Sequence, residues 1–131
     1  MNRNRIKDAQ KRESKKLLED FFLLTDEWNL STEEQQKLIG DRAFDKFLQS
    51  IERDDCPTPL SEETITRVVM LLGIKNDLHI LYPEARCQTY VRSPNKYFEG
   101  QSPLEVMLNE SADGVIRVQA YLKGTILGGY T

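Results

Sequence analysis

The chain has 131 residues, of which 39% are hydrophobic and 30% are charged, and its formal net charge is −3. This length allows one ordinary domain, or two small helical subdomains that share a core. No run of eighteen apolar residues occurs and residues 1–7 lack the apolar segment of a secretory signal, so we expect no membrane span and a cytoplasmic location.

The first ten residues form a basic arm in an otherwise acidic chain. Arg3, Arg5 and Lys7 belong to this arm, and the acidic residues become frequent only from Glu19 onward. We expect residues 1–10 to be mobile, because no apolar pattern ties them to a core. Such an arm either contacts nucleic-acid phosphates or is simply a solvated leader.

Residues 11–59 predict three helices. Apolar residues at three- and four-residue spacing indicate a first helix that ends before Asn29. Ser31 with Glu34 forms a capping-box pattern for a second, short helix, which Gly40 ends. A third helix starts at Asp41. Its expected inward-facing residues are Phe44, Phe47, Leu48 and Ile51.

The order short helix, glycine turn and short helix has the outline of a helix-turn-helix. On the third helix, Arg42, Lys46 and Gln49 are suitable for DNA recognition. Asp41 and Asp45 on the same helix would repel phosphates. A DNA-reading helix and a purely structural helix pair therefore both remain open.

Residues 60–92 predict three more helical segments, separated by prolines and a glycine. Ser61 caps the first, which we expect to end near Gly73. A second short helix runs to Leu81 before Pro83, and a third covers residues 84–92. The expected apolar face of the first segment consists of Ile65, Val68, Val69 and Leu72.

A rigid corner and a final helix complete the chain. Residues 95–100 lie between proline and glycine, and within them we expect Phe98 to enter the core and Tyr97 to be exposed. Ser102 and Pro103 start the last helix, and Gly124 is its expected end. The expected apolar stripe of that helix consists of Val115, Ile116, Val118, Tyr121 and Leu122.

The residues that could support catalysis or metal binding are few. Cys56 and Cys87 are the two cysteines, and His79 is the single histidine, whereas a zinc site needs about four ligands. A Cys–His catalytic pair would also need an orienting third group. We therefore expect no metal, no cofactor and no enzymatic activity, with His79 as a surface or packing residue.

The later motifs resemble the Xre/MbcA/ParS-type antitoxins of bacterial toxin–antitoxin pairs. The resemblance covers about a hundred residues and is most specific after residue 60. Its motifs are Arg67-Val-Val-Met-Leu-Leu-Gly-Ile74, Leu81-Tyr-Pro83, Ser93-Pro94-Asn95, Phe98-Glu-Gly100, Ser102-Pro-Leu104 and Ile126 to Tyr130. The helix that carries Arg42, Lys46 and Gln49 departs from the family pattern, because it lacks a Ser/Thr/Arg-rich face.

The resemblance implies an all-α fold, with an Xre-like helix-turn-helix region at residues 11–59 and a toxin-binding domain at residues 60–131. The partner it implies is a RES-domain toxin that consumes NAD, whose active site the C-terminal segment blocks. It also implies a homodimer that binds operator DNA and represses its own promoter. The expected toxin-binding residues are Pro94, Asn95, Tyr97, Gly100, Ile126, Gly128, Gly129, Tyr130 and Thr131.

Two function classes follow. The first is an antitoxin, in which the flexible Gly128-Gly129 pair lets a slender segment carry Tyr130 into a pocket. The same glycines are also compatible with a disordered end. The second is a helix-turn-helix transcriptional regulator without a toxin partner, which would use Arg3, Arg5, Lys7, Arg42, Lys46 and Gln49.

Overall fold

The computed structural model describes residues 3–53 and 59–128. This part of the chain forms six α-helices and one 3₁₀ helix, without a β-strand, so the predicted all-α fold is confirmed. The α-helices are α1 (Arg3–Glu27), α2 (Thr32–Ile39), α3 (Asp41–Arg53), α4 (Glu62–Leu81), α5 (Glu84–Tyr90) and α6 (Pro103–Ile126), and the 3₁₀ helix is Lys96–Phe98.

Helix α1 begins at Arg3, so it includes residues that we assigned to a mobile arm outside the helix. That boundary was wrong because residues 3–10 contain no proline or glycine to prevent helix formation, although they carry few apolar side chains. Residues 4–8 are exposed, and the first buried side chain of the helix is Ser14. The N-terminal turns of α1 are therefore solvated helix.

The predicted start and end of α2 and the predicted start of α3 are confirmed. Ser31 and Glu34 form the capping box at the start of α2, with each side chain accepting from the other residue's backbone N–H. Gly40 ends α2 with a φ of 89°, a left-handed value that favours glycine. Helix α3 starts directly after it at Asp41.

Helix α4 is longer than the sequence predicted. It continues through Gly73 and joins the two segments that we expected to be separate, and Pro83 follows its end. A Cβ atom at Gly73 would lie 3.2 Å from Nε2 of Gln119 on α6. The glycine therefore permits close packing between two helices and does not end one.

Helix α6 starts as predicted, with Ser102 and Glu105 in a capping box and Pro103 at the first turn. Its interior contains a kink at Ser111, where φ is 53° and ψ is −128°. The helix also continues past Gly124 to Ile126, which corrects the predicted end. A glycine in the interior of a helix costs only about 1 kcal/mol relative to alanine, so it does not by itself end the helix.

Several apolar side chains that we expected inside are exposed. Their helices therefore bury a narrower apolar stripe than the sequence pattern indicated. The exposed fractions are 46% for Leu48, 53% for Ile51, 51% for Val69 and 51% for Ile116.

One hydrophobic core contains side chains from all six α-helices. Helix α4 packs against both α1 and α6, so the two halves of the chain share this core. Ser14 on α1 accepts a hydrogen bond from the backbone N–H of Leu60, at 2.9 Å, which joins the halves directly. Within residues 3–53 and 59–128, no helix has both the length and the apolar content needed to cross a bilayer.

Candidate functional site

The corner between α5 and α6 is a closed turn built around Asn95. The Asn95 side chain accepts a hydrogen bond from the backbone N–H of Tyr97 at 2.8 Å, and its carbonyl accepts from Gly100 at 2.9 Å. Glu99 and Gly100 both adopt positive φ, at 59° and 89°. These bonds fix the backbone and determine where the aromatic side chains point.

Three aromatic rings form what we call the aromatic corner: Tyr97, Phe98 and Tyr121. Phe98 is 2% exposed, which confirms its predicted place in the core, and Tyr97 is 48% exposed. The Tyr97 ring stacks on Tyr121 of α6 with a centroid distance of 4.4 Å. Phe98 meets Tyr121 edge-on at 5.3 Å. Tyr97 is therefore held in a fixed orientation at the surface.

A guanidinium group borders the aromatic corner. The Cζ atom of Arg117 lies 5.5 Å from the centre of the Phe98 ring, in a cation–π arrangement. Arg117 also pairs with Glu110 across the kink in α6. The corner therefore presents aromatic surface beside a held cation, a combination that is enriched in the anchors of protein interfaces.

A second aromatic pair lies next to the corner and contacts it through Asn95. Tyr82 and Tyr90 stack with a centroid distance of 5.0 Å, and Arg86 lies over both rings. Burial raises the pKa of Tyr90, so its hydroxyl stays protonated and accepts a hydrogen bond from Nδ2 of Asn95 at 3.3 Å. Tyr90 is therefore a core residue.

The last turns of α6 connect the aromatic corner to the end of the helix. Positions 117, 121 and 124 are separated by four and three residues and therefore lie on one face of α6, which ends at Ile126. Gly128 has a φ of 81°, and its N–H donates to the carbonyl of Thr125 at 3.0 Å, an arrangement common at helix C-termini. Ile126 is half-buried, whereas Leu127 is 86% exposed.

The predicted toxin-binding residues thus fall into two groups on neighbouring elements. Pro94, Asn95, Tyr97 and Gly100 lie together in the corner, with Pro94 and Gly100 exposed. Ile126 and Gly128 lie at the end of α6. Tyr121 joins the two groups through its contact with Tyr97. Gly129, Tyr130 and Thr131 lie outside the described residues.

Tyr121 and Arg117 also belong to this surface, although neither was among the predicted toxin-binding residues. We counted Tyr121 in the apolar stripe of the last helix, and it is half-buried with one ring face against Tyr97. The four- and three-residue spacing of Arg117, Tyr121 and Gly124 was the available signal, because it places a cation and an aromatic residue on one face of the last helix.

The predicted DNA-binding residues are distributed over two helices. Arg5 and Lys7 are exposed on the first turns of α1, where Arg3 is also located. Arg42 and Gln49 are exposed on α3. Lys46 differs, because it is half-buried and its Nζ donates to the carbonyl of Pro59 at 3.0 Å. That bond joins α3 to the segment before α4, so Lys46 has a structural role.

A groove of about 560 Å³ lies between the N-terminal turns of α3 and α4. Its charged lining consists of the cations Arg42, Lys46 and Arg67 and the acids Asp41 and Glu63. Nη1 of Arg67 donates to the carbonyl of Leu38 at 2.8 Å, so this cation also holds the end of α2. The mixture of signs gives the groove no strong preference for phosphate.

The possible nucleophile and base occupy structural positions. Cys87 is fully buried and its thiol donates to the carbonyl of Leu78 at 3.1 Å. Burial raises the pKa of the Cys87 thiol, which disfavours the reactive thiolate. Nε2 of His79 lies 2.7 Å from Oε1 of Glu27 and joins α4 to α1. Among the described residues, no group of three His, Cys, Asp or Glu side chains could hold a metal ion.

With this geometry established, we compared the chain with known proteins. The uncharacterized protein y4oB of Sinorhizobium fredii is 34% identical to it over 106 residues, which span 80% of each chain. This chain belongs to the same family as y4oB. No family model matches the chain.

Proposed function

We propose that the protein is an antitoxin that neutralises a RES-domain, NAD-consuming toxin by binding it and covering its active site with the segment from Ile126 to Thr131. The observation that carries this proposal is the surface shared by the aromatic corner and the last turn of α6. On it, Tyr97 stacks on Tyr121, and Gly128 follows Tyr121 by seven residues, just after the end of α6. The docking residues and the start of the inhibitory segment are therefore separated by only about 10 Å along the helix.

The geometry supports a division of labour between these two parts. A tyrosine held by stacking loses little conformational freedom on binding, so its contact area contributes efficiently to affinity. A segment that leaves a helix through Gly128 has no side chain at that point and can enter a narrow pocket. In this proposal the chain supplies no catalysis, the partner supplies all of it, and the pair works in the cytoplasm.

The test is a binding measurement with a RES-domain toxin encoded beside this chain's gene. Tyr97→Ala should weaken the complex by about 30-fold in Kd, the effect of losing about 2 kcal/mol at an interface anchor. Ile80→Ala is the matched control, because Ile80 is 69% exposed on α4. Failure of the wild-type chain to bind the toxin or restore growth would refute the proposal.

Binding to operator DNA is a second possible activity and is less supported. The exposed side of α3 carries Asp41 and Asp45 beside Arg42, and Lys46 is engaged with Pro59. Only Gly40 separates α2 from α3, whereas a helix-turn-helix has a turn of about three or four residues. If the protein represses its own promoter, we expect a mainly electrostatic contact from α1, weakening steeply with salt.

A further inference from the structure

Arg117 is held on two sides, while part of its guanidinium has no acceptor. Its Cζ atom lies over the Phe98 ring, and its Nη1 donates to Oε2 of Glu110. Within residues 3–53 and 59–128, its Nε and Nη2 atoms donate to no protein group. The Arg117 side chain is 46% exposed, so a partner can reach these donors.

Another arginine of the chain combines an acid pair with contacts to the end of a helix. Both Nη atoms of Arg92 donate to the Glu34 carboxylate. Its Nε and Nη2 also donate to the backbone carbonyls of Trp28 and Asn29, just beyond the end of α1. Carbonyls at the end of a helix have no partner within the helix, so an arginine can satisfy them.

A third arginine makes the same kind of contact. Nη1 of Arg67 donates to the carbonyl of Leu38 in the last turn of α2. Arg117 differs from Arg92 and Arg67, because it has an acid pair with Glu110 but no carbonyl on its remaining donors. In the part of the chain that the structure describes, no group completes the arrangement around Arg117.

The charges around Arg117 indicate which acceptor fits its remaining donors. The hydrogen bond to Glu110 and the charge of Glu99 raise the pKa of Arg117, so two acids lie close to the guanidinium. Both acids would repel a carboxylate or phosphate of a partner. A neutral carbonyl meets no such repulsion, and the carbonyl end of a helix also favours a cation.

We propose that Arg117 donates to backbone carbonyl oxygens at the C-terminal end of a helix of the toxin, and that this contact contributes to partner specificity. The inference rests on the proposed function, because it names what the docked partner presents to the aromatic corner. Tyr121, on which Tyr97 stacks, lies one turn along α6 from Arg117, so both contacts belong to one surface. A guanidinium that is already held loses little conformational freedom on binding.

The test is the Kd of the complex between the full chain and the purified RES-domain toxin encoded beside its gene, measured by calorimetry at low and high salt. Arg117→Ala should raise Kd about 20-fold, because two charge-assisted hydrogen bonds are lost. Arg117→Lys should raise Kd about 10-fold, since an ammonium lacks the planar fork of donors. Arg12→Ala is the matched control, because it removes the same charge from an exposed position on α1 and should leave Kd unchanged.

Two further results separate a carbonyl from a charged acceptor. The Kd values of wild type and Arg117→Ala should rise with salt by the same factor, because salt screens attraction between charges. Glu110→Gln keeps an oxygen that accepts from Arg117 and should change Kd less than about two-fold. A carboxylate on the toxin would instead flatten the salt dependence of Arg117→Ala and make Glu110→Gln bind more tightly. Either of these results would overturn the proposal.

Equal affinity of the toxin for wild type and Arg117→Ala would also overturn it, while the antitoxin proposal would stand. Failure of the wild-type chain to bind the toxin would refute both, because no docked partner would then exist. Urea denaturation of each variant verifies that a change in Kd does not reflect unfolding.

Discussion

Arg92 connects the junction between α1 and α2 to the beginning of the aromatic corner. Its guanidinium donates to the backbone carbonyls of Trp28 and Asn29, at 3.3 and 2.7 Å, and to the Glu34 carboxylate at 2.8 and 3.2 Å. Trp28 is fully buried. Since Arg92 precedes Ser93-Pro94 directly, these bonds position the corner relative to the N-terminal helices.

Replacing Arg92 with Ala should lower the free energy of unfolding by about 1–3 kcal/mol, because charge-assisted hydrogen bonds and two carbonyl contacts are lost. Arg92→Lys should recover only part of that loss, since an ammonium cannot reproduce the planar fork of donors. Urea denaturation of the three proteins measures both changes. Equal stability of wild type and Arg92→Ala would mean that solvent replaces these bonds completely.

The same contact predicts a pH dependence. Hydrogen bonding to Arg92 lowers the pKa of Glu34, so the folded state favours the carboxylate more than the unfolded state does. The resulting stability is present above the unfolded pKa of about 4.3 and is lost as pH falls through the lower folded pKa. Arg92→Ala should therefore lose less stability than wild type when the pH falls below about 4. Parallel curves for the two proteins would contradict this assignment.

Asp77 is a buried acid whose effect on stability depends on its ion-pair partner, Lys123. The carboxylate is 2% exposed, and its Oδ1 accepts from Nζ of Lys123 at 2.9 Å, while its Oδ2 has no hydrogen-bond partner among the described groups. Lys123→Ala should destabilise the protein more than Asp77→Asn. The first leaves a buried charge uncompensated, whereas the second removes that charge. Thermal unfolding of both variants at neutral pH gives the order, and the reverse order would contradict the argument.

At the scale of the helices, local signals predicted the starts better than the ends. Ser31, Ser61 and Ser102 all cap helices as expected, because a capping side chain needs only the backbone within the next three residues. Gly73 and Gly124 were wrongly predicted as ends. Whether a glycine ends a helix depends on what packs against it, and for Gly73 that is Gln119, 46 positions later in the chain.

The kink in α6 was also beyond local prediction, and Gly114 shows why it matters. A Cβ atom at Gly114 would overlap the carbonyl oxygen of Val106 and lie 2.9 Å from Cα of Met107. The backbone before the kink at Ser111 therefore folds closely against the backbone after it. Only a residue without a side chain permits this contact.

Gly114→Ala should destabilise the protein by more than about 2 kcal/mol, because backbone atoms on both sides must move. Gly73→Ala is the matched control in another helix, where the Cβ would meet only the end of the Gln119 side chain. We expect that variant to be within about 1 kcal/mol of wild type, since alanine also favours the helix. Chemical denaturation separates the two cases. A Gly114→Ala protein as stable as Gly73→Ala would refute the close backbone contact.

At the scale of the whole molecule, the sequence indicated the parts of the candidate site but not their assembly. Residues 93–100 form the predicted corner because their turn chemistry is local: Asn95 caps the 3₁₀ helix, and Gly100 supplies a positive φ. The contact between Tyr97 and Tyr121 joins positions 24 residues apart, and it depends on how α6 packs against the core. Periodicity alone could not distinguish a ring that supports a surface from one that fills a core.

Docking and inhibition should be separable in the proposed antitoxin, because different parts of the chain carry them. Deleting residues 128–131 should leave a folded chain, since Gly128 is exposed and Leu127 before it is 86% exposed. The aromatic corner is unchanged in the truncated protein, so it should still bind the toxin. At saturating concentration it should leave residual NAD consumption, because nothing fills the active site.

Tyr97→Ala should do the opposite, with a higher Kd and complete inhibition at saturation, because the inhibitory segment is intact. The decisive quantity is toxin activity at saturation, measured by NAD loss. Complete inhibition by the truncated chain would transfer the inhibitory role from this segment to the docked helical body.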